Sequence, residues 1–174
     1  MFEKRKGTNI RRLALIGLMA ATLECGKLVL SFLPNIEVVT LFCALFGYVF
    51  GGAGVIATIV FIAIEPLIYG FGTWIISYCI HWPLVAIIFM LLGRAKVKNR
   101  VILTCIAVVM TAWFGVLSSL VDVGLFSGYF DRFFYRFGIY YLRGISFYIT
   151  QTVCNAILFP LLFRPLSELL KKLN

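Results

Sequence analysis

Acidic, aromatic and amide side chains recur at helical spacing inside long apolar stretches of this chain. Thr58, Glu65 and Tyr69 are seven and then four residues apart, so in an α-helix they share one face. Similar series occur in three other stretches: Trp74, Tyr78 and His81 with Ser77 beside them; Thr111, Gly115, Ser118 and Asp122; and Gly144, Tyr148, Gln151 and Asn155. An ionisable side chain in a membrane span costs about 2.5–3.5 kcal/mol, so we expect these faces to point into the protein interior or water.

Two interpretations of these faces are open. They hold the helices together, each contact contributing ~0.6 kcal/mol in a membrane, or they converge on a pocket for a small, flat, polar organic ligand. All four are polar at the same depth, which favours the pocket. Its predicted substrate-binding residues are Glu37, Glu65, Tyr69, Trp74, Tyr78, His81, Ser118, Asp122, Tyr148, Gln151 and Asn155.

The acidic residues within this set bear on the charge of the ligand. Glu37, Glu65 and Asp122 favour a neutral or cationic compound, although the arginines of the neighbouring segment 123–143 weaken that inference. Glu37 follows Pro34-Asn35 at the predicted start of a helix, where an acid is favoured near the free N–H groups. The sequence leaves two roles open for Glu37, capping of this helix and contact with the ligand.

Other chemistry has little support in the sequence. His81 is the only histidine, which excludes a multi-histidine metal site, and we predict no metal and no cofactor. Ser77 and His81 form the only candidate catalytic dyad, and no Gly-x-Ser-x-Gly motif accompanies them. We therefore predict no catalytic residue and no enzyme activity. Glu24 and Lys27 are three residues apart and are expected to form an ion pair.

Composition indicates the environment of the chain. Of its 174 residues, 62% are hydrophobic and only 13% charged, and its mean hydropathy is +1.02. A membrane span needs about 20 apolar residues, so the chain has room for six spans in a single transmembrane domain, 1–174, of an all-α membrane protein. The predicted spans of this six-helix bundle are residues 13–33, 36–50, 53–70, 74–93, 101–122 and 144–163.

The charges predict an orientation. Lysine and arginine accumulate in the N-terminal segment, in the loop 94–100 and in the C-terminal segment, which six spans would place on one side of the membrane. Because basic residues favour the cytoplasmic side, both termini are expected to be cytoplasmic. The net charge of +9 thus reflects topology, and no nucleic acid partner is predicted. The aromatic segment 123–143 is expected to be an outer loop, either a membrane-interface anchor or a lid.

Small residues line one face of the first span. Gly17 and Ala21, with Ala14 one turn earlier, would let another helix approach closely. The partner helix could belong to this chain or to another subunit.

Four segments in this order resemble the substrate-specific S components of energy-coupling factor (ECF) vitamin transporters. They are residues 11–21 (RRLALIGLMAA), 32–41 (FLPNIEVVTL), 65–72 (EPLIYGFG) and 155–166 (NAILFPLLFRPL). The resemblance implies a six-helix subunit in the plasma membrane of a prokaryote that captures a vitamin or related micronutrient at its outer face. It also implies a transmembrane coupling subunit, contacted through Ala14, Gly17 and Ala21, and two cytoplasmic ATPases.

The chain itself has no Gly-x-x-x-x-Gly-Lys-[Ser/Thr] pattern, so the energy for such transport would have to come from other subunits. Two alternatives remain from the sequence. One is a small intramembrane hydrolase, and the other is a membrane assembly factor without transport activity.

Overall fold

The chain folds as an all-helical membrane bundle. The structure is a computed structural model that describes residues 2–33, 36–127 and 131–172. Its helices are α1 (Phe2–Val29), α2 (Val39–Phe50), α3 (Gly52–Tyr69), α4 (Trp74–Arg94), α5 (Arg100–Val121), α6 (Phe133–Leu158) and α7 (Arg164–Lys171). A π-helical turn, Asp122–Phe126, prolongs α5, and a second, Phe159–Phe163, joins α6 to α7 without a break. The described residues thus form six helical rods.

The surface of the bundle suits a lipid environment. Four rods are long and apolar enough to cross a membrane: α3, α4, α5 with its π-helical turn, and α6 continued through α7. Large apolar side chains face outward along them, for example Leu67 and Val109, which are 79% and 65% exposed. In water such an extended apolar surface would drive association.

Helix α2 is only 12 residues long, or about 18 Å at 1.5 Å per residue. It lies in the centre of the bundle, where eight of its 12 residues are buried and the other four are half-buried. It packs most closely against α4, where a Cβ on Gly47 would come within 2.1 Å of the carbonyl oxygen of Ala86. The other helices therefore surround it, which explains how so short an apolar segment is accommodated.

The predicted spans agree closely with α3, α4 and α5, whose ends lie within one residue of the expected positions. Gly51 and Gly70 end α2 and α3 in backbone conformations with positive φ, which glycine adopts without strain. Helix α1 begins well before residue 13, since its polar first turns are also helical. The expected break at Pro34-Asn35 lies outside the described residues.

The long outer loop predicted over 123–143 is wrong at both ends, since residues 123–126 belong to the π-helical turn that prolongs α5. Helix α6 begins at Phe133 instead of near 144, so residues 133–143 are a helical extension of the sixth span. Rings four residues apart stack along this extension: the centroids of Phe133 and Phe137 are 6.3 Å apart, and those of Phe137 and Tyr141 are 5.9 Å apart. This stacking on one helix face, together with the absence of proline and of adjacent glycines, explains the added turns. Residues 128–130 lie outside the described ranges.

Candidate functional site

A cavity of about 650 Å³ lies between the helices where α1 and α3 end and α2 and α4 begin. All six rods contribute to its wall, and its volume falls in the range of roughly 300–1,000 Å³ typical of small-molecule sites. We call it the aromatic cavity, after the ring-bearing side chains that dominate its wall. These are Tyr69, Trp74, Tyr78, Trp82, Phe114, Phe147 and Tyr148.

The predicted binding residues divide into two groups. Those that line the aromatic cavity are Glu37, Tyr69, Trp74, Tyr78, Ser118, Tyr148 and Gln151. Those that do not are Glu65, His81, Asp122 and Asn155, of which Glu65, His81 and Asn155 are fully buried behind the wall.

Lys27 brings a positive charge to the wall. Its ammonium group pairs with Glu65 and lies 4.1 Å from the ring centre of Tyr69 and 5.3 Å from that of Tyr78. Cations within about 6 Å of a ring centre are attracted to its face. The Glu65 side chain is fully buried, whereas 26% of the Lys27 side chain is exposed. The buried Glu65 carboxylate therefore neutralises the charge of Lys27, while the ammonium faces the aromatic cavity.

The expected Glu24–Lys27 ion pair is not formed. Lys27 pairs across the α1–α3 contact with Glu65, where the cation also gains the rings of α3 and α4. Both carboxylate oxygens of Glu24 are buried and have no hydrogen-bond partner among the described residues. Glu24 nevertheless interacts electrostatically with Glu65 and Lys27. Among the described carboxylates, only that of Glu65 therefore contacts the Lys27 ammonium, and Glu24 lies near this pair without contacting the ammonium.

Glu37 also lines the aromatic cavity and caps α2. Its Oε2 accepts a hydrogen bond of 2.9 Å from the backbone N–H of Thr40, and its Oε1 accepts bonds from Thr40 Oγ1 and from Asn155 Nδ2 at 2.6 and 2.7 Å. The capping interpretation is therefore correct. An ionised carboxylate has about four acceptor positions, and these three bonds leave one unused in a residue that lines the cavity.

Asn155 acts from behind the wall. Its Nδ2 also lies 3.1 Å from Thr111 Oγ1, so the amide ties Glu37 to both α5 and α6. Asn155 is fully buried, and this network fixes the orientation of the Glu37 carboxylate. Asn155 is thus a positioning residue for the aromatic cavity and not a wall residue.

Tyr148 contributes a ring and a hydroxyl group. Its hydroxyl lies 3.3 Å from Ser118 Oγ and 3.2 Å from Ser119 Oγ. Its ring fits between Gly115 and Gly144, where an added Cβ would come within 2.6 and 2.7 Å of ring atoms. Both glycines are therefore required for the position of this ring.

The α4 wall is a cluster of aromatic rings. Tyr78 packs edge to face against Trp74 and Trp82, with ring centroids 5.0 and 5.4 Å away. His81 packs against Trp82 and Phe114, and neither of its ring nitrogens has a hydrogen-bond partner in the described part of the chain. Ser77 and His81 are therefore not joined by a hydrogen bond. Asp122 lies apart from the cavity wall and interacts with Tyr140.

Several wall residues were not among the predicted binding residues, namely Lys27, Trp82, Phe114, Gly144 and Phe147, although Gly144 was placed on the same helix face as Tyr148. The sequence did contain a signal for Trp82, because Trp74, Tyr78 and Trp82 are spaced four residues apart and so share one helix face. Lys27 was assigned to an ion pair with Glu24, because its actual partner Glu65 is remote in sequence. Phe114 and Phe147 belong to stretches in which phenylalanine is common and spacing alone does not select one.

The small residues of α1 face away from the bundle. Ala14, Gly17 and Ala21 are all exposed, and a Cβ on Gly17 would meet no atom within 4 Å. No helix in the described part of the chain packs on Gly17, so this small-residue face of α1 is free to accept a helix from elsewhere.

No protein-family model, curated protein or solved structure matches the chain.

Proposed function

We propose that the chain is the substrate-binding S component of an ECF-type importer and that the aromatic cavity binds its vitamin or related micronutrient. The observation that supports this most is the combination within one cavity of about 650 Å³ of aromatic walls with the Lys27 ammonium and the Glu37 carboxylate. Such a wall suits a small, flat, polar compound, since rings supply contact area and a few polar groups supply orientation.

The contacts of the charged residues refine the proposed ligand. The charge of Glu65 is neutralised by Lys27, and Asp122 does not line the aromatic cavity. Two of the three acids that favoured a cationic ligand therefore do not act on the cavity. An ammonium has three donors, and Glu65 takes one from Lys27. The proposed ligand therefore carries an acceptor or anionic group toward Lys27 and a donor toward Glu37, and is neutral or zwitterionic overall.

The proposal assigns the remaining functions to other subunits. The small-residue face of α1 (Ala14, Gly17 and Ala21) is the proposed contact for the transmembrane coupling subunit, and its exposure supports that role. Two ATPases on the cytoplasmic side would supply the energy. On this proposal the protein belongs to a prokaryotic plasma membrane, with both termini and the loop 94–100 in the cytoplasm.

Intrinsic fluorescence offers a direct test of ligand binding. Two of the three tryptophans, Trp74 and Trp82, line the aromatic cavity, whereas Trp113 is 41% exposed and does not line it. The full chain in lipid nanodiscs is titrated with B vitamins and their precursors in a Trp113→Phe background. We expect one compound to change the emission with a Kd below about 1 µM, equivalent to about −8 kcal/mol.

A Glu37→Gln variant serves as the specificity control. It keeps the shape of the carboxylate but replaces one acceptor oxygen with a donor, so we expect the affinity for the identified compound to fall at least tenfold. If no compound in the panel alters the emission, or if Glu37→Gln binds as tightly as the parent, the proposed ligand site is wrong.

A further inference from the structure

A second, smaller concavity lies at the opposite end of the bundle from the aromatic cavity. It has a volume of about 190 Å³ and lies where α2 ends, α5 begins and the second π-helical turn meets α7. We call it the basic cleft, and its lining residues are Tyr48, Lys98, Arg100, Leu103, Phe159, Phe163, Arg164, Ser167, Glu168 and Lys171.

The charges of the basic cleft are unbalanced. Four cations, Lys98, Arg100, Arg164 and Lys171, surround it with a single acid, and that acid, Glu168, is held 2.9 Å from Arg164 Nε. Neither Lys98 nor Arg100 has an ion pair among the described residues. Like charges gathered around one concavity repel each other, and an anion between them would remove that repulsion.

Local contacts hold the cationic segments in place. The Tyr48 hydroxyl donates a hydrogen bond of 2.8 Å to the carbonyl of Val97, next to Lys98. The ammonium of Lys171 lies 4.9 Å from the centre of the same Tyr48 ring. One tyrosine thus fixes the loop before α5 against α7. Arg100 opens the 22-residue helix α5, whose positive N-terminal end also favours an anion.

The floor and surroundings of the basic cleft are apolar. Leu103, Phe159 and Phe163 are buried at its base. On the outside of the bundle, Val101 is 69% exposed and Leu162 40% exposed, each adjacent in sequence to a lining residue. A free inorganic anion gains nothing from apolar surface, whereas a phospholipid would place its phosphate among the cations and its acyl chains along the neighbouring helices.

We propose that the basic cleft is a binding site for an anionic phospholipid, whose phosphate lies between the start of α5 and α7. The small volume suits a headgroup and not a whole organic cofactor. The site is separate from the aromatic cavity and does not depend on the identity of the transported compound. Bound there, the lipid would join the loop that carries Lys98 and Arg100 to the helix that carries Arg164 and Lys171.

Native mass spectrometry of the full chain tests this proposal. The protein is released from micelles titrated with phosphatidylglycerol, and parallel titrations use phosphatidylcholine and inorganic phosphate. We expect one tightly bound phosphatidylglycerol, no comparable phosphatidylcholine adduct, and no displacement of the bound lipid by millimolar phosphate. In the Lys98→Gln/Arg100→Gln variant we expect at least a tenfold loss of affinity for that lipid, since it removes two of the four cations that line the cleft.

The matched control is Arg94→Gln/Lys172→Gln. It removes the same number of charges, one at the end of α4 and one directly after α7, and neither residue lines the basic cleft, so we expect phosphatidylglycerol affinity within twofold of wild type. An equal loss of phosphatidylglycerol affinity in both variants would mean that the lipid is held by general attraction to the charged surface and not by the basic cleft. Equal binding of phosphatidylcholine, or displacement by inorganic phosphate, would overturn the lipid assignment.

Discussion

At the scale of single residues, the Lys27–Glu65 pair decides the electrostatics of the aromatic cavity. Burial of Glu65 is tolerated because the Lys27 ammonium pairs with it, and three aromatic rings hold that ammonium in place. Removal of one partner from a buried pair leaves the other uncompensated, which costs about 3–5 kcal/mol. Because a quarter of the Lys27 side chain is exposed, we expect the lower end of that range for Lys27→Met.

Unfolding by sodium dodecyl sulfate in mixed micelles measures this loss. The double variant Lys27→Met/Glu65→Gln removes both charges, so we expect it to recover most of the stability lost in Lys27→Met. A Lys27→Met protein as stable as wild type, or a double variant no more stable than the single one, would contradict the role of the pair.

Tyr148 gives a second test at the same scale. A Cβ on Gly144 would come within 2.7 Å of the Tyr148 ring, so Gly144→Ala is expected to move that ring out of the cavity wall and to weaken ligand binding at least tenfold. Gly138→Ala is the control, since it lies on the same helix and its added Cβ meets nothing within 4 Å. Fluorescence titration with the identified ligand compares the two variants, and equal affinities would exclude this role of Gly144.

How much of the site could be predicted from the sequence depends on how far apart in the sequence the contacting residues lie. Helical spacing grouped Trp74 with Tyr78, and Tyr148 with Gln151, because those relations lie within one helix. The same spacing suggested Glu24 as the partner of Lys27, and this was wrong, because the α1–α3 packing that brings Glu65 to Lys27 is not encoded locally. The role of Asn155 behind Glu37 was invisible for the same reason, since 118 positions separate them.

At the scale of helices, hydropathy predicted the existence of all six rods and the ends of α3, α4 and α5. It failed at the start of α6, because residues 133–143 combine arginines with aromatic rings and therefore do not look like a membrane span. The interval of four residues between Phe133, Phe137 and Tyr141 was the available signal for a helix. Hydropathy alone reports the apolar part of a helix and misses its polar or aromatic extensions.

The exposed face of α1 carries a prediction about coupling. Ala21→Trp places a large ring on the small-residue face, so we expect vitamin uptake by cells that also express the coupling and ATPase subunits to fall to background. Ligand affinity of the purified protein should stay within twofold, because Ala21 does not line the aromatic cavity.

The control for Ala21→Trp is Ala63→Trp, which introduces the same ring at an exposed alanine on α3. Uptake by Ala63→Trp should match the wild type. Loss of uptake in both variants would indicate a general effect of bulk at the lipid surface, and loss of binding together with uptake in Ala21→Trp would remove the proposed coupling role of α1.

At the scale of the whole molecule, the two ends of the bundle differ in chemistry. The aromatic cavity lies at one end, and the basic residues of the 94–100 loop and of α7 meet at the other, around the basic cleft. Charge counting predicted that these two basic segments share a side, and their meeting in one cleft agrees with that. The direction of the bundle in the membrane remains a prediction from the excess of lysine and arginine.

Cysteine labelling in intact cells tests that direction. In a variant whose five native cysteines are replaced by alanine, a single cysteine is introduced at Phe71 or at Lys96. Phe71 is 86% exposed in the turn between α3 and α4, beside the aromatic cavity, and Lys96 is exposed in the loop after α4 at the basic end. A membrane-impermeant maleimide should label Phe71→Cys in intact cells and Lys96→Cys only after permeabilisation. The reverse pattern would place the aromatic cavity in the cytoplasm, where it could not capture a nutrient from outside.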